Sequence, residues 1–172
     1  MSHHLIVGGT RSGKSAFAAR LAEASGLPVL FIATAQATDA EMAQRIQAHQ
    51  ASRPAHWHLL EEPIRLGAAL AAHADPGRFV LVDCLTLWLT NLLLHTDPTR
   101  FDRERAVLLQ AIRHPVGPVA LVSNETGLGI IPMGDLTRRF VDENGLLNQQ
   151  LASYCTRVTW VVAGLPVSIK GP

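Results

Sequence analysis

An excess of either charge is the first thing missing from this sequence. Its 15 Lys and Arg stand against 14 Asp and Glu, a formal net charge of +1 over 172 residues. So balanced a chain does not advertise nucleic acid or an anionic membrane as its partner. Cysteine is scarce too. Cys84 and Cys155 lie far apart and form no CxxC pair, which argues against a disulfide framework or a zinc site and reads as two buried thiols. The most apolar stretch, LTLWLTNLLL from Leu85 to Leu94, falls well short of the ~20 residues a spanning helix needs. It reads as a buried helix or a subunit interface. The Leu5-Ile6-Val7 run is too short for a secretory signal, so the expected location is the cytoplasm, without stable membrane insertion. Internal repeats, low-complexity tracts and linkers are also missing, and one domain over residues 1–172 is expected.

What is present is an alternation of short apolar runs and helical patterns. Strands are expected over His4–Val7, Val29–Ala33, Trp57–Leu60, Phe79–Val82, Pro118–Ser123 and Val158–Ala163, with an edge strand at Val167–Ile169. Helices are expected over Lys14–Ala24, from Thr38 to about Ser52, from Pro63 to about His73, from Cys84 onward, over Arg103–His114 and over Leu136–Thr156, the last weakened by Gly145. Thr38 and Glu41 form a capping box for the second helix. Continuous Val/Leu/Ile strands between helices argue for a mostly parallel sheet covered by helices on both faces, an α/β fold.

The first strand leads into GGTRSGKS, Gly8 to Ser15, which fits the Walker A pattern. Its glycines let backbone N–H groups turn toward phosphate, Lys14 reaches the β- and γ-phosphates, and the Ser15 hydroxyl takes a place on Mg²⁺. The following helix adds its partial positive charge. A carboxylate to support that site is Asp83, at the end of FVLVD, where ligands collect in open α/β sheets. Asn124 and Glu125 end the next strand at the same rim, and Glu125 could serve as metal ligand, base or substrate anchor. The loop alone fits a motor, a switch or a small-molecule kinase equally well.

The capped helix adds a residue that a motor has no use for. Met42, Ile46 and His49 recur at i, i+4 and i+7 and so share one face. On pattern alone His49 is an ordinary half-buried histidine. Its imidazole also has the chemistry to attack phosphorus and carry a nucleotidyl group as a phosphoramidate.

Taken together, GGTRSGKS, FIATAQATDAEMAQRIQAHQASRPAHW with LLEEP, LVDCLTLWLTNLL, VSNETGLGIIP, RRFVDENGLLNQQLA and VVAGLPVSIK resemble the bifunctional adenosylcobinamide kinase / adenosylcobinamide-phosphate guanylyltransferase family, nearly end to end. The resemblance implies a P-loop NTPase-like (RecA-like) fold and a homo-oligomer, in its best-known members a trimer. It implies phosphorylation of adenosylcobinamide with ATP or GTP, then transfer of GMP from GTP to adenosylcobinamide phosphate, with Mg²⁺ present. It assigns the GMP-carrying histidine to His49. The nucleotide site it implies comprises Gly8, Gly9, Thr10, Arg11, Ser12, Gly13, Lys14 and Ser15, with Thr34, Ala35 and Gln36. Gln50, Ala51, Ser52 and Arg53 follow, then Glu61 and Asp83. Ser15 and Asp83 are the expected metal contacts. The chain is compact between Leu93 and the VSNE strand, where some family members are longer. A simple small-molecule kinase without nucleotidyl transfer is the alternative.

Overall fold

The computed structural model describes residues 3–37, 40, 43, 44, 47, 54–114 and 116–171. Its seven strands form one sheet in the order β3-β2-β4-β5-β1-β6-β7. They are β1 His3–Gly8, β2 Val29–Ala33, β3 His58–Glu61, β4 Phe79–Asp83, β5 Val119–Asn124, β6 Arg157–Val162 and β7 Leu165–Lys170. Six run parallel, and β7 pairs antiparallel with β6. The helices are α1 Lys14–Ala24, α2 Leu66–His73, α3 Leu85–Leu93, α4 Arg100–Arg113 and α5 Asp135–Tyr154. Ala40, Ala43, Gln44 and Gln47 are also helical; Thr38 and Glu41 of the expected capping box, and Met42 and Ile46, lie outside the described residues.

Because side chains alternate along a strand, each apolar strand feeds two cores. Leu5, Val7, Leu30, Ile32, Val80, Val82, Val119 and Leu121 pack with Leu66, Leu85, Trp88, Leu108 and Leu147 from the helices on one face. Ile6, Val29, Leu81, Ala120, Val122 and Val161 pack with Ala18 and Ala22 of α1 and with Trp57 on the other. The apolar LTLWLTNLL segment is therefore a buried helix, with Leu85, Trp88 and Leu89 fully covered. Both cysteines are buried and free.

Several boundaries differ from the sequence expectation, each for a local reason. The β3 strand begins one residue late because Trp57 turns into the core and stacks on Phe31. The α2 helix begins at Leu66 rather than Pro63, since Glu62 Oε1 accepts from the N–H groups of Ile64 and Arg65 and closes a turn there. The α4 helix begins earlier than Arg103, where Asp97 Oδ1 accepts from Thr99 N and Thr99 Oγ1. Gly145 does not interrupt α5. The edge strand at Val167–Ile169 extends over Leu165–Lys170 and closes a hairpin with β6.

His3 joins the expected His4 in β1, and both are buried. His3 Nδ1 donates to Ile112 O at 3.0 Å, and His4 Nε2 shares a 2.8 Å hydrogen bond with the Thr159 hydroxyl. Burial, with Arg157 nearby, pushes the His4 pKa down to about 4.

Candidate active site

The buried strand β1 delivers the chain to the carboxyl edge of the sheet, where the Gly8–Ser15 loop turns into α1. Gly8 has no room for a side chain: a Cβ there would lie 2.5 Å from Val161 O and 2.6 Å from Ser12 Oγ. Gly13 precedes α1 with φ 95, a left-handed conformation that glycine adopts without strain. The loop is closed by Ser12 N donating to Gly9 O at 3.2 Å and Phe17 N donating to Gly13 O at 2.9 Å. Thr10 and Arg11 are exposed at its tip.

Lys14 is buried, and its Nζ donates to Gly9 O at 3.0 Å. Burial lowers its pKa from the ordinary lysine value, opposed by Cys84 and by the Asp83 carboxylate. Lys14 and Asp83 therefore feel each other across the loop. Ser12 Oγ is a buried hydroxyl without a hydrogen-bond partner among the described residues. A glycine-walled loop with one orphaned donor and one buried ammonium suits a phosphate chain.

The neighbouring strands end in register beside it. Glu61 of β3 pairs with Ala33 of β2, and Ala33 pairs with Asp83 of β4. Two strand spacings, about 10 Å, thus separate the backbones of the two acidic residues. Ser15 and Asp83 supply a hydroxyl and a carboxylate, an oxygen-only donor set of the kind Mg²⁺ takes together with phosphates and water. Among the described residues no group of three or more His, Cys, Asp or Glu could hold a metal by itself.

Thr34 is fully buried, and its hydroxyl serves the protein. Thr34 Oγ1 donates to Cys84 O at 2.7 Å and accepts from Cys84 N at 3.1 Å, clamping the backbone immediately after Asp83. Asn91 of α3 donates from Nδ2 to Thr34 O and Pro63 O at 2.8 and 3.1 Å. Trp88 Nε1 donates to Ile64 O at 2.7 Å. Helix α3 thereby ties the ends of β2 and β3 together. Ala35 is half-buried and Gln36 exposed on the segment that continues from Thr34.

Across the loop, Glu125 N donates to Gly8 O at 3.0 Å. The Glu125 carboxylate is engaged in its own turn, accepting from Gly127 N at 2.9 Å. Asn124 Nδ2 donates to Thr86 Oγ1 at 3.1 Å, and Asn124 O accepts from Asn144 Nδ2 and Asn148 Nδ2 of α5 at 2.9 and 3.2 Å. Sequence reading passed over Asn144 and Asn148. Their signal was two asparagines one helical turn apart on the buried face of α5, where a polar side chain needs a partner.

The structure thus brings Gly8–Ser15, Thr34–Gln36, Glu61 and Asp83 to one edge. His49 and Gln50, Ala51, Ser52 and Arg53 lie outside the described residues.

A family model described as cobinamide kinase / cobinamide phosphate guanyltransferase matches residues 4–169. The chain is 60% identical over 167 residues to the bifunctional adenosylcobalamin biosynthesis protein CobP of Pseudomonas aeruginosa, covering 97% of this chain and 96% of that protein. It is 41% identical over 179 residues to the bifunctional adenosylcobalamin biosynthesis protein CobU of Escherichia coli, covering 96% and 98% respectively. Among solved structures it is similar to the flagellar accessory protein FlaH of Methanocaldococcus jannaschii, with a TM-score of 0.53 and 14% identity over 99% of this chain and 78% of that one. It is also similar to the RadB recombinase, with a TM-score of 0.50 and 18% identity over 92% of this chain and 73% of that one. At such identities the structural likeness speaks for the fold alone, a mostly parallel P-loop NTPase sheet of RecA type.

Proposed function

The chain belongs to the cobinamide kinase / cobinamide phosphate guanyltransferase family, and from that premise we propose that it performs both reactions on adenosylcobinamide as one domain. In the first, the aminopropanol hydroxyl of adenosylcobinamide attacks the γ-phosphorus of ATP or GTP and the nucleoside diphosphate leaves. In the second, a ring nitrogen of His49 attacks the α-phosphorus of GTP. Pyrophosphate leaves, and GMP stays on the imidazole as a phosphoramidate. A phosphate oxygen of adenosylcobinamide phosphate then displaces His49, giving adenosylcobinamide-GDP and restoring the free imidazole.

The observation that carries this reading is the edge itself: a Walker loop with buried Lys14, in electrostatic reach of Asp83, in a chain that matches the family over residues 4–169. The loop amides and Lys14 stabilise charge on the phosphates. Ser15 and Asp83 would hold Mg²⁺, which offsets the charge developing on the phosphate oxygens. Thr34, Ala35 and Gln36, Gln50 to Arg53, and Glu61 complete the nucleotide site in this proposal, with Thr34 acting through the backbone it holds.

Incubating the protein with adenosylcobinamide and GTP should yield adenosylcobinamide-GDP and pyrophosphate, read by mass. Label from α-labelled GTP should remain on the protein in acid-labile form and vanish in His49→Ala. Phosphorylated cobinamide with equal labelling of wild type and mutant would leave a simple small-molecule kinase instead.

We expect a homo-oligomer, a trimer as in the family it resembles, working in the cytoplasm without nucleic acid. Leu128, Ile130, Ile131 and Met133 are exposed on the loop after β5, apolar surface that supports association of copies. No helix among the described residues is long and apolar enough to cross a membrane. Light scattering of the purified protein gives the subunit count.

A further inference from the structure

The VVAGLPVSIK segment enters the family resemblance without a role in the site. In the structure it folds back onto the phosphate loop. Val162 of β6 pairs with Leu165 of β7, so Ala163 and Gly164 form the turn between them. Both have positive φ, 51 and 81, the pattern of a tight hairpin turn whose twist matches its strands. This turn meets the loop at two points, and the end of β6 meets it at a third. Gly164 N donates to Ser12 O at 2.8 Å. A Cβ on Gly13 would meet Gly164 Cα at 3.1 Å, and one on Gly8 would meet Val161 O at 2.5 Å.

We infer that the Ala163–Gly164 turn positions the phosphate loop, and that Gly164 N–H sets the orientation of the Ser12–Gly13 peptide. The inference rests on the nucleotide-binding reading of that loop. The C=O and N–H of a trans peptide point in opposite directions. Holding Ser12 O toward the hairpin therefore turns Gly13 N–H away from it. The hairpin covers one side of the loop, so phosphate reaches it from the other, where Gly13 N–H is presented. Without the Gly164 bond this peptide is free to rotate, and part of the binding free energy goes into ordering it. Glycine at 164 answers to its φ of 81 and not to crowding, since a Cβ there would meet nothing within 4 Å. Gly164 touches no reacting atom in this account; it is a positioning residue.

The chain's own Cys155 allows the full-length protein to be assembled by native ligation from residues 1–154 and a synthetic 155–172 segment. Replacing Gly164 by glycolic acid in that segment turns the N–H into an ester oxygen, which deletes the donor and weakens only the Ala163 carbonyl as an acceptor. The dissociation constant for a non-hydrolysable GTP analogue should rise roughly five- to twentyfold against the all-amide ligated chain, as expected for one lost hydrogen bond. Affinity for guanosine, which has no phosphates, should stay unchanged. Gly164→Ala keeps the N–H but strains the turn and should weaken binding of the analogue in the same selective way. D-Alanine at 164, which adopts positive φ freely, should restore it. Should the ester chain fail to refold, Gly164→Ala made by mutagenesis gives the same comparison. Equal affinity for the analogue throughout, or a parallel loss for guanosine, overturns the inference. An all-amide chain that fails to bind the analogue overturns the nucleotide-binding reading itself.

Discussion

The phosphate loop and the rim formed by β2, β3 and β4 lie on the same edge of the sheet, but they are held by different means. Contiguous main chain builds the loop, with Ser12 N bonded to Gly9 O and Phe17 N to Gly13 O. Side chains from remote segments build the rim, where Thr34 clamps Cys84, Asn91 spans Thr34 and Pro63, and Trp88 holds Ile64. The loop's placement thus depends on glycine conformation and the hairpin behind it. The rim's placement depends on buried hydroxyl, amide and indole groups, each of which leaves an unpaired partner when removed.

The sharpest division between the two regions comes from Lys14→Ala. It should lower both kinase and GMP-transfer rates by at least roughly 10³-fold, because both act on phosphates cradled by one loop. Loss of one activity alone would show that the reactions use different nucleotide sites.

On the rim, Thr34→Val deletes the hydroxyl while keeping the shape. It should cost about 1–3 kcal/mol of stability, since Cys84 N–H loses its partner in a buried place. It should also lower kcat by displacing Asp83, and Thr34→Ser should restore both. Normal kinetics in Thr34→Val would mean that Asp83 does not depend on this clamp.

Farther from the loop, Asn144→Ala removes donors to Asn124 O and Thr126 Oγ1. With Asn148 still bonded to Asn124 O, the expected cost is about 1 kcal/mol in urea denaturation. A cost of zero would mean that water replaces the amide.

The smallest effect belongs to the opposite end of β1. The His4 pKa is about 4 in the folded chain against about 6.5 unfolded. The unfolded chain therefore binds the extra proton first, and stability falls as pH drops from about 6.5 toward 4. Near pH 5.5 the loss from His4 should be about 1 kcal/mol relative to pH 7, read from thermal melts. His4→Gln should flatten that dependence while leaving nucleotide affinity unchanged.

The same contrast explains what could be read in advance. The Walker loop was legible because residues 8–15 contain their own glycines, lysine and serine. Asp83 was legible because it ends an apolar run. The parallel fold followed from strands that are mostly continuous Val/Leu/Ile runs, which here feed two cores. Thr34 entered the nucleotide site through the family resemblance, and nothing local shows that its hydroxyl also holds Cys84, just past the end of β4. Glu125 was legible as a strand-end carboxylate, but not that its Oε1 also accepts from Gly127 N in its own turn. The β6–β7 turn went unread because Ala-Gly lacks the Asn-Gly or Asp-Gly signature of such turns.

The sequence by itself determined the glycine-rich loop between β1 and α1, since a contiguous loop carries its conformation in its own residue types. It also determined the alternation of strands and helices, written in apolar periodicity. Tertiary structure alone decided which polar groups remain available to a substrate and which are consumed in holding the edge together. Those hydrogen bonds join residues distant along the chain, such as Thr34 with Cys84 and Ser12 with Gly164, and only the packed sheet brings them within reach.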